Sequence, residues 1–379
     1  MSIESVPHLF DPALTRRLVL KIGSALLVSP DGQAKKGWLA SLVGEINEAR
    51  ERGQQIIVVS SGAVAMGAAI LGFGRGVRLA DKQAAAAVGQ IALSSLWATL
   101  LDAYGIKAAQ MLLTLDDLED RRRYLNASAT IGRLLKAGAV PIVNENDSVA
   151  TEGLRFGDND RLAVRVALAA NADAVALMSD IDGLYDRNPA HPDAEMQERI
   201  DGVTEEVHAM ASAESSSSVG TGGMSSKLKA AEMAERAGIA MAILNGTYNR
   251  PIAHALETDR GTIFLPQRQD AGRKIWIGGR QRMDGVLTVD EGCVRALGRG
   301  NSLLAAGIIA IEGEFRRGQP VGVRAPGGRQ VAQGLVEYSS AEIELLKGHR
   351  SEDHEALLGY APRSAVIHRD HLVLLQALP

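Results

Sequence analysis

The stretch 220–227, with the sequence GTGGMSSK, combines the residue types that hold phosphate groups. Glycines let the backbone approach a ligand, and the hydroxyls and the free N–H groups of a following helix start can donate hydrogen bonds. Lys227 adds a full positive charge to the partial charge of a helix N-terminus. Ser226 precedes this lysine, so the spacing is not the Walker spacing. A flexible Gly/Ser linker is the alternative, but Lys227 and the helical pattern that follows favour a phosphate-binding loop.

A second lysine, Lys21, interrupts an otherwise apolar segment, 18–24, which predicts a strand that ends in a glycine turn. A lysine in a fully buried strand is costly unless it is paired or functional. The alternative is an edge strand on which Lys21 faces water. The residues alone leave both interpretations open.

Three further loops carry polar or small residues where a strand ends or a helix begins. Residues 60–63 (SSGA) and 144–147 (NEND) each follow a predicted strand, although polar residues there also suit a plain turn. Asp158, Asn159 and Asp160 precede a helical pattern. A helix N-cap needs only one such residue, so three in succession indicate a functional site.

The elements that must position these residues alternate between strands and helices. Continuous apolar runs predict buried strands, and amphipathic or Ala-rich segments between them predict helices. This alternation predicts an α/β fold with a mostly parallel sheet that is covered on both faces. In such sheets ligands bind at the carboxyl ends of the strands, so one shared site is expected. The loops expected to form it begin at Gly23, Ser60, Asn144, Gly157 and Gly220.

The pattern changes after Pro266, which indicates a second domain. Residues 267–280 are predicted to be a polar linker, and 281–379 contain short strand-like pieces with frequent turn signals, which predict a small β-rich domain. The main α/β domain is predicted over 17–266. Residues 1–16 have no continuous apolar run and are expected to be a flexible, loosely ordered extension.

Composition limits the class of protein. Hydrophobic residues make up 46% and charged residues 23%, which is typical of a soluble globular protein, and a net charge of −4 gives no sign of a general polyanion binder. The single cysteine, Cys293, excludes a disulfide framework and fits a cytoplasmic location. The N-terminus resembles neither a signal peptide nor a membrane span, so no membrane association is expected.

Taken together and in order, seven segments resemble the amino-acid kinase family, and the region after about Arg280 resembles a PUA domain. The resemblance covers almost the whole chain except its first fifteen or so residues. It implies a three-layer αβα sandwich with a mainly parallel central sheet, followed by a small C-terminal β-rich PUA-like barrel. The segments are 19–24, 60–63, 110–114, 143–147, 157–160, 182–185 and 220–227.

The motifs are most similar to those of family members that phosphorylate the side-chain carboxylate of L-glutamate, the first step of proline biosynthesis, with ATP and Mg²⁺. The resemblance implies that Lys21 and Lys227 contact the phosphates of ATP and that Asp160 orients both lysines. It implies that Ser61, Asp147 and Asn159 hold glutamate; Asp147 suits the ammonium, and Asn159 suits the α-carboxylate. Metal ligands are not assigned. The further nucleotide-binding residues that it implies are Ser179, Asp180, Thr221, Gly222, Gly223, Met224, Ser225 and Ser226.

The resemblance also implies proline as a feedback inhibitor and a homo-oligomer, either a dimer or a tetramer. RNA binding by the C-terminal domain is weakly supported, because acidic and basic residues are nearly balanced after Gln281. Three alternatives remain: an RNA-binding or RNA-modifying protein, a kinase of acetylglutamate, aspartate, carbamate or uridylate, and a regulatory protein that binds nucleotide without turnover. The presence of both Lys21 and Lys227 disfavours the last.

Overall fold

The computed structural model describes residues 2–74, 78–149, 159–213, 223–266, 283–360 and 365–375. The chain divides into two compact units, Met1–Gln269 and Asp270–Pro379. The division falls within the segment predicted as a linker, whose own residues lie outside the described ones. The predicted domain bounds therefore remain predictions.

The first unit alternates strands and helices as the apolar pattern predicts. Its described strands are β1 (Arg17–Ile22), β2 (Gln55–Ser60), β3 (Ala108–Leu113), β4 (Val140–Glu145), β5 (Ala174–Ser179), β6 (Leu184–Tyr185), β7 (Met196–Gln197), β8 (Arg199–Ile200), β9 (Ala240–Asn245) and β10 (Thr262–Phe264). Its described helices are α1 (Ser24–Leu27), α2 (Lys36–Glu51), α3 (Ala63–Leu71), α4 (Leu79–Asp102), α5 (Leu115–Glu119), α6 (Arg121–Lys136), α7 (Asn159–Ala170), α8 (Glu205–Ala213), α9 (Met224–Ala237) and α10 (Pro251–Thr258).

The main sheet has the strand order β3-β4-β2-β1-β5-β9-β10-β8. Its pairs are parallel except for the antiparallel pair of β9 and β10. Strand β1 lies between β2 and β5, and Lys21 pairs in register with Val59 and Leu177. The mainly parallel sheet predicted from the sequence is confirmed. Six neighbouring strands run in one direction, so their carboxyl ends meet at one edge of the sheet. These strands are β3, β4, β2, β1, β5 and β9.

Both faces of this sheet are covered. Successive residues of a strand point to opposite faces, and the apolar residues of β1 are buried on both. Leu18, Leu20 and Ile22 belong to a core cluster that includes side chains of α2, α4 and α10. Val19 is also completely buried, on the face that α7 covers. The result is the expected three-layer arrangement, with helices on each side of one sheet.

Helix α4 is apolar and long enough to cross a membrane by length and composition alone. Its Leu93, Trp97 and Leu101, however, are buried in the same core cluster as β1. It packs closely on α3, since a Cβ at Gly67 would lie 1.8 Å from Ala85 O. Helix α4 is therefore a core helix of the first unit.

The N-terminal segment differs from the prediction of a flexible extension. A short 3₁₀ helix, Pro7–Phe10, buries Leu9 and Phe10 in the main core cluster. The buried Gln54 Nε2 donates to Leu9 O at 2.7 Å and to Thr15 O at 2.8 Å. A few buried apolar residues and two hydrogen bonds from the Gln54 side chain to backbone carbonyls order a segment that has no continuous apolar run.

The second unit is β-rich with short helices. Its described strands are β11 (Gly285–Val289), β12 (Ile308–Glu312), β13 (Pro320–Arg324), β14 (Gln330–Leu335) and β15 (Leu372–Leu374), in the sheet order β12-β11-β13-β14-β15, and its described helices are α11 (Glu291–Gly298), α12 (Ser340–Leu346) and α13 (His354–Leu358). It has a core cluster of its own, which includes Leu287, Val323 and Tyr338. The apolar residues Val366 and Ile367 predict that a last strand begins at 366–368, and this prediction is wrong. Ile367 forms only an isolated bridge with Leu303, and the last strand comes later, in β15.

Candidate active site

Three charged side chains meet at the carboxyl edge of the main sheet. Lys21 comes from the end of β1, Asp160 from the first turn of α7, and Lys227 from the first turn of α9. Lys21 Nζ lies 2.6 Å from Asp160 Oδ1, and Lys227 Nζ lies 3.3 Å from Asp160 Oδ2. One carboxylate therefore bridges two ammonium groups that lie 206 residues apart in the sequence.

All three side chains of this trio are buried, so their charges act in a medium that screens them weakly. Burial alone would raise the pKa of Asp160, but the ammonium groups of Lys21 and Lys227 hold it below its ordinary value. Asp160 is therefore ionised at neutral pH. The trio carries a net charge of +1, and a buried net charge favours an anionic ligand.

The position of β1 resolves the alternative left open for Lys21. Strand β1 is central in the sheet, and Lys21 lies on the face covered by α7, where it meets Asp160. It is not on an edge strand that faces water. Gly23 follows the last residue of β1, and a Cβ there would lie 3.6 Å from Met178 O and 3.9 Å from Lys21 Nζ.

The start of α9 carries the described part of the predicted phosphate loop. Gly223 is the N-cap and, as a glycine, has no side chain with which to cap the helix, and Ser226 N donates to Gly223 O at 2.9 Å. Met224 is buried, and Ser225 is exposed. Thr221 and Gly222 lie outside the described residues, as do Gly157 and Asp158. For the described residues, the prediction that a helix begins immediately at this loop agrees with the structure.

Ser179 and Asp180 lie at the end of β5, next to the end of β1. Ser179 Oγ lies 3.2 Å from Asp180 Oδ1, and Ser179 O accepts from Gly246 N at 2.7 Å. Asp180 is exposed. The turn after β9 is thereby held against the end of β5, on the side of the sheet edge away from β2.

The predicted substrate residues Ser61 and Asn159 are in direct contact. Asn159 Nδ2 lies 2.6 Å from Ser61 Oγ, 3.2 Å from Ser60 O and 3.2 Å from Asn144 Oδ1. A carbonyl oxygen such as Ser60 O can only accept, so the nitrogen of the Asn159 amide must be the atom that faces it. This differs from the expectation that the amide nitrogen of Asn159 donates to a substrate carboxylate.

Among the described residues, the oxygen of the Asn159 amide has no hydrogen-bond partner. Asn159 is 3% exposed, and within the described ranges no group donates a hydrogen bond to its Oδ1. A buried acceptor without a donor is costly, by about 1–3 kcal/mol. The free atom of Asn159 is therefore suited to a ligand that donates, such as an ammonium group.

Asp147 follows β4 in a short 3₁₀ turn, Asp147–Val149. Burial raises the pKa of its carboxyl to about 6. This shift indicates a carboxylate that is poorly hydrated, which a cationic ligand group would stabilise.

Sequence reasoning missed two residues that support this edge of the site, Gln90 and Trp97 of α4. Asn144 Nδ2 donates to Gln90 Oε1 at 2.7 Å, and Trp97 Nε1 donates to Ser60 Oγ at 3.0 Å. Gln90 and Trp97 are seven residues apart and so lie on one face of the helix. A glutamine on the buried face of an Ala-rich helix was the available signal.

Comparison with known proteins adds the family. The family model described as "Amino acid kinase family" matches residues 16–245, and the "PUA domain" model matches residues 285–358. The chain belongs to the amino acid kinase family. The resemblance stated from the motifs is thereby confirmed, as is the expectation of an amino-acid-kinase fold followed by a separate β-rich PUA region.

Relatives within the amino acid kinase family cover nearly the full chain. "Glutamate 5-kinase" of Novosphingobium aromaticivorans is 57% identical and spans 99% of this chain and 100% of its own. "Glutamate 5-kinase" of Sphingopyxis alaskensis is 54% identical and spans 97% of this chain and 100% of its own. A solved UMP kinase structure from Bacillus anthracis covers 67% of this chain and 97% of its own, at a TM-score of 0.47 and 16% identity.

The residues present fit a nucleotide. Two buried lysines and the N-terminus of α9 offer positive charge and backbone N–H groups, which is what a triphosphate requires. Among the described residues, no group of three or more His, Cys, Asp or Glu side chains could hold a metal ion. Mg²⁺ bound with a nucleotide leans mainly on phosphate oxygens and water, so a ready-made cage of side chains is not required.

Proposed function

We propose that this protein phosphorylates the side-chain carboxylate of L-glutamate with ATP, giving L-glutamyl 5-phosphate, the first step of proline biosynthesis. The observation that carries the proposal is the bridging of Lys21 and Lys227 by Asp160, beside the unpartnered acceptor of the adjacent Asn159. The curated relatives that span the whole chain are named for the same substrate, which supports the choice of glutamate.

The chemistry follows from the charges. A carboxylate oxygen of glutamate attacks the γ-phosphorus of ATP, the bond from that phosphorus to the bridging β–γ oxygen breaks, and ADP leaves. The attacking carboxylate is already ionised at neutral pH, so no general base is needed. What the site must supply is in-line positioning and positive charge around the transferring group.

Lys21 and Lys227 supply that charge in this proposal. Asp160 fixes the positions of both ammonium groups and offsets their mutual repulsion, so they need little rearrangement when the transition state forms. Mg²⁺, when bound with ATP, neutralises further phosphate charge. The nucleotide lies against Ser179, Asp180 and the loop from Thr221 to Lys227.

Ser61, Asp147 and Asn159 hold glutamate in this proposal. The ammonium of glutamate is its only strong donor, and the raised pKa of Asp147 and the unpartnered Asn159 Oδ1 both favour such a donor. The α-carboxylate is then left to the Ser61 hydroxyl and to backbone N–H groups. This arrangement differs from the sequence-based expectation only in the role of Asn159.

A coupled assay for ADP release tests the function directly. The protein should release ADP with L-glutamate and ATP–Mg²⁺, and much less with acetylglutamate, aspartate, carbamate or uridylate. Hydroxylamine should trap the acyl phosphate as a hydroxamate. Turnover of a different acceptor with glutamate inactive would contradict the proposed substrate.

We further propose proline as a feedback inhibitor, a homo-oligomer of two or four subunits, and a cytoplasmic location. Ile70 of α3 and Ile91 of α4 are exposed large apolar side chains that a contact between subunits could cover. Sedimentation analysis tests the subunit number. The PUA match supports RNA binding more weakly, and a filter-binding assay with tRNA over a salt series tests it.

A further inference from the structure

Helix α4 reaches the candidate substrate site through a chain of buried amides. Gln90 Oε1 accepts from Asn144 Nδ2 at 2.7 Å, and Asn144 Oδ1 lies 3.2 Å from Asn159 Nδ2. All three side chains are less than a tenth exposed. The chain joins α4, the end of β4 and the start of α7, three elements that are distant in sequence.

The direction of each hydrogen bond in this chain is determined by its surroundings. Glu145 N donates to Asn144 Oδ1 at 2.9 Å, so the oxygen of Asn144 faces that N–H and its nitrogen faces Gln90. Gln90 Nε2 lies 3.1 Å from Ser94 Oγ, which leaves Gln90 Oε1 to accept. Asn159 in turn must present its nitrogen to two acceptors, Ser60 O and Asn144 Oδ1.

We infer that Gln90 is a positioning residue that acts through Asn144 to fix the amide orientation of Asn159, so that Asn159 Oδ1 stays available for a ligand donor. Trp97 supports the same arrangement from one side, because its Nε1 holds the Ser60 hydroxyl. Gln90 itself does not touch the reacting groups. The inference rests on the proposed function in one respect, the identification of that donor as the ammonium of glutamate.

The test replaces Gln90 with leucine, which has a similar size and no acceptor. Without Gln90 Oε1 the Asn144 amide keeps only the hydrogen bond from Glu145 N, so Asn144 Oδ1 is held less firmly opposite Asn159 Nδ2. The orientation of the Asn159 amide then depends on its contacts with Ser60 O and Ser61 Oγ alone and is fixed less strictly. The glutamate KM should rise about tenfold, as expected for one misoriented hydrogen bond to a charged group, while the ATP KM and kcat stay within about twofold. Gln90→Glu keeps an acceptor for Asn144 and should recover most of the loss.

One control separates orientation from general damage to α4. Thr99→Val alters an exposed hydroxyl that donates to Ser95 O on the same helix, away from the chain of amides. This variant should have wild-type constants. Should the leucine variant not fold, Gln90→Met makes the same comparison.

A second substrate makes the test specific for the ammonium. Glutarate has both carboxylates of glutamate and lacks the amino group, so its inhibition constant should be unchanged by Gln90→Leu. An equal loss for glutarate and glutamate would overturn the orientation of Asn159 as the cause, and an unchanged glutamate KM would overturn the role of Gln90.

Failure of the wild type to turn over glutamate would instead contradict the proposed function. Gln90→Leu is then compared with the wild type in calorimetric titrations of glutamate and glutarate: a loss confined to glutamate supports the role of Gln90, and unchanged or equally weakened binding overturns it.

Discussion

Lys21 Nζ lies 2.6 Å from Asp160 Oδ1, and both residues are buried. A buried ion pair is favourable only while both partners are present, because removing one leaves the other charge uncompensated. Here the carboxylate also approaches Lys227, so one residue determines the positions of both cations. Asp160 should therefore affect stability and catalysis together.

Replacement of Asp160 by asparagine should lower kcat by about 10²-fold or more, because both lysines lose the group that orients them. The variant should also lose about 3–5 kcal/mol of unfolding free energy, since two ammonium groups remain buried beside a neutral amide. Steady-state kinetics and urea unfolding measure the two effects. Asp102→Asn is the matched control, since Asp102 forms an exposed pair with Lys107 and should change neither. Wild-type kcat in Asp160→Asn would contradict the orienting role.

Replacement of Lys227 by alanine should reduce kcat much more than it raises the glutamate KM. Its charge acts most strongly on the γ-phosphoryl group in transit, and loss of one such donor typically costs about 10²–10³-fold. Lys229→Ala, an exposed lysine of the same helix, provides the control. A near-normal kcat in Lys227→Ala would show that the loop before α9 is only a linker.

Replacement of Asp147 by asparagine should raise the glutamate KM about 10–100-fold and leave the ATP KM unchanged. Because the pKa of Asp147 is about 6, kcat/KM for glutamate in the wild type should rise through that pH as the carboxylate ionises, and the asparagine variant should lack this limb. Ser148→Ala changes the exposed neighbour and should retain it. A fall in ATP affinity instead would contradict the assignment of Asp147 to glutamate.

The same shift has an opposite effect on stability. The pKa of Asp147 is higher in the folded protein than its ordinary value of 3.8, so the folded state binds this proton more tightly. Its stabilising contribution is fully present below about pH 4 and is lost as the pH rises through about 6. At pH 8 the asparagine variant should therefore be more stable than the wild type, by at most about 3 kcal/mol.

Most of the strands and the two lysines of the site could be predicted because the signals are local. An apolar run interrupted by Lys21, and glycines before Lys227, are visible within a few residues. The start of α7 was placed too late. The apolar pattern predicts a helix over 162–170, whereas the described helix runs from Asn159, so Asn159 and Asp160 lie in its first turn. Their partners come from β1, α9 and the ends of β2 and β4, and the choice of partner is a property of the assembled sheet.

The sequence indicates the support from α4 only weakly, for a similar reason. Gln90 and Asn144 lie 54 residues apart, and an Ala-rich helix gives a weak indication of which face it buries. The order of the N-terminal segment depends likewise on Gln54, which the chain reaches only after β1 and α2. Hydrogen bonds to a buried amide are formed by tertiary structure and leave no periodic pattern.

Proline should inhibit by competition with glutamate, and it should leave the ATP KM unchanged. Proline carries the same α-carboxylate and a protonated amine, so it can use Asp147 and Asn159, but it lacks the side-chain carboxylate that accepts the phosphoryl group. Initial rates over a grid of proline and glutamate concentrations measure this. The inhibition constant should rise in Asp147→Asn in parallel with the glutamate KM. Competition with ATP would contradict a shared site.

Removal of the second unit should leave a folded and active kinase unit. The chain divides into two compact units at Gln269, each described with a hydrophobic core of its own. Every residue assigned to phosphoryl transfer precedes this division. A chain that ends near Ala271 should therefore stay soluble and keep kcat within about tenfold of the full-length value, because the groups around the phosphoryl transfer are retained.

The measurements are gel filtration, circular dichroism and the ADP-release assay, with the full-length chain as control. Subunit number, Mg²⁺ dependence and proline sensitivity can change in the shortened chain without affecting this prediction, because an appended domain can bias assembly without touching the chemistry. Aggregated, inactive protein would mean that the second unit covers an apolar face of the first. In that case the independence of the two units, which their separate cores indicate, would be wrong.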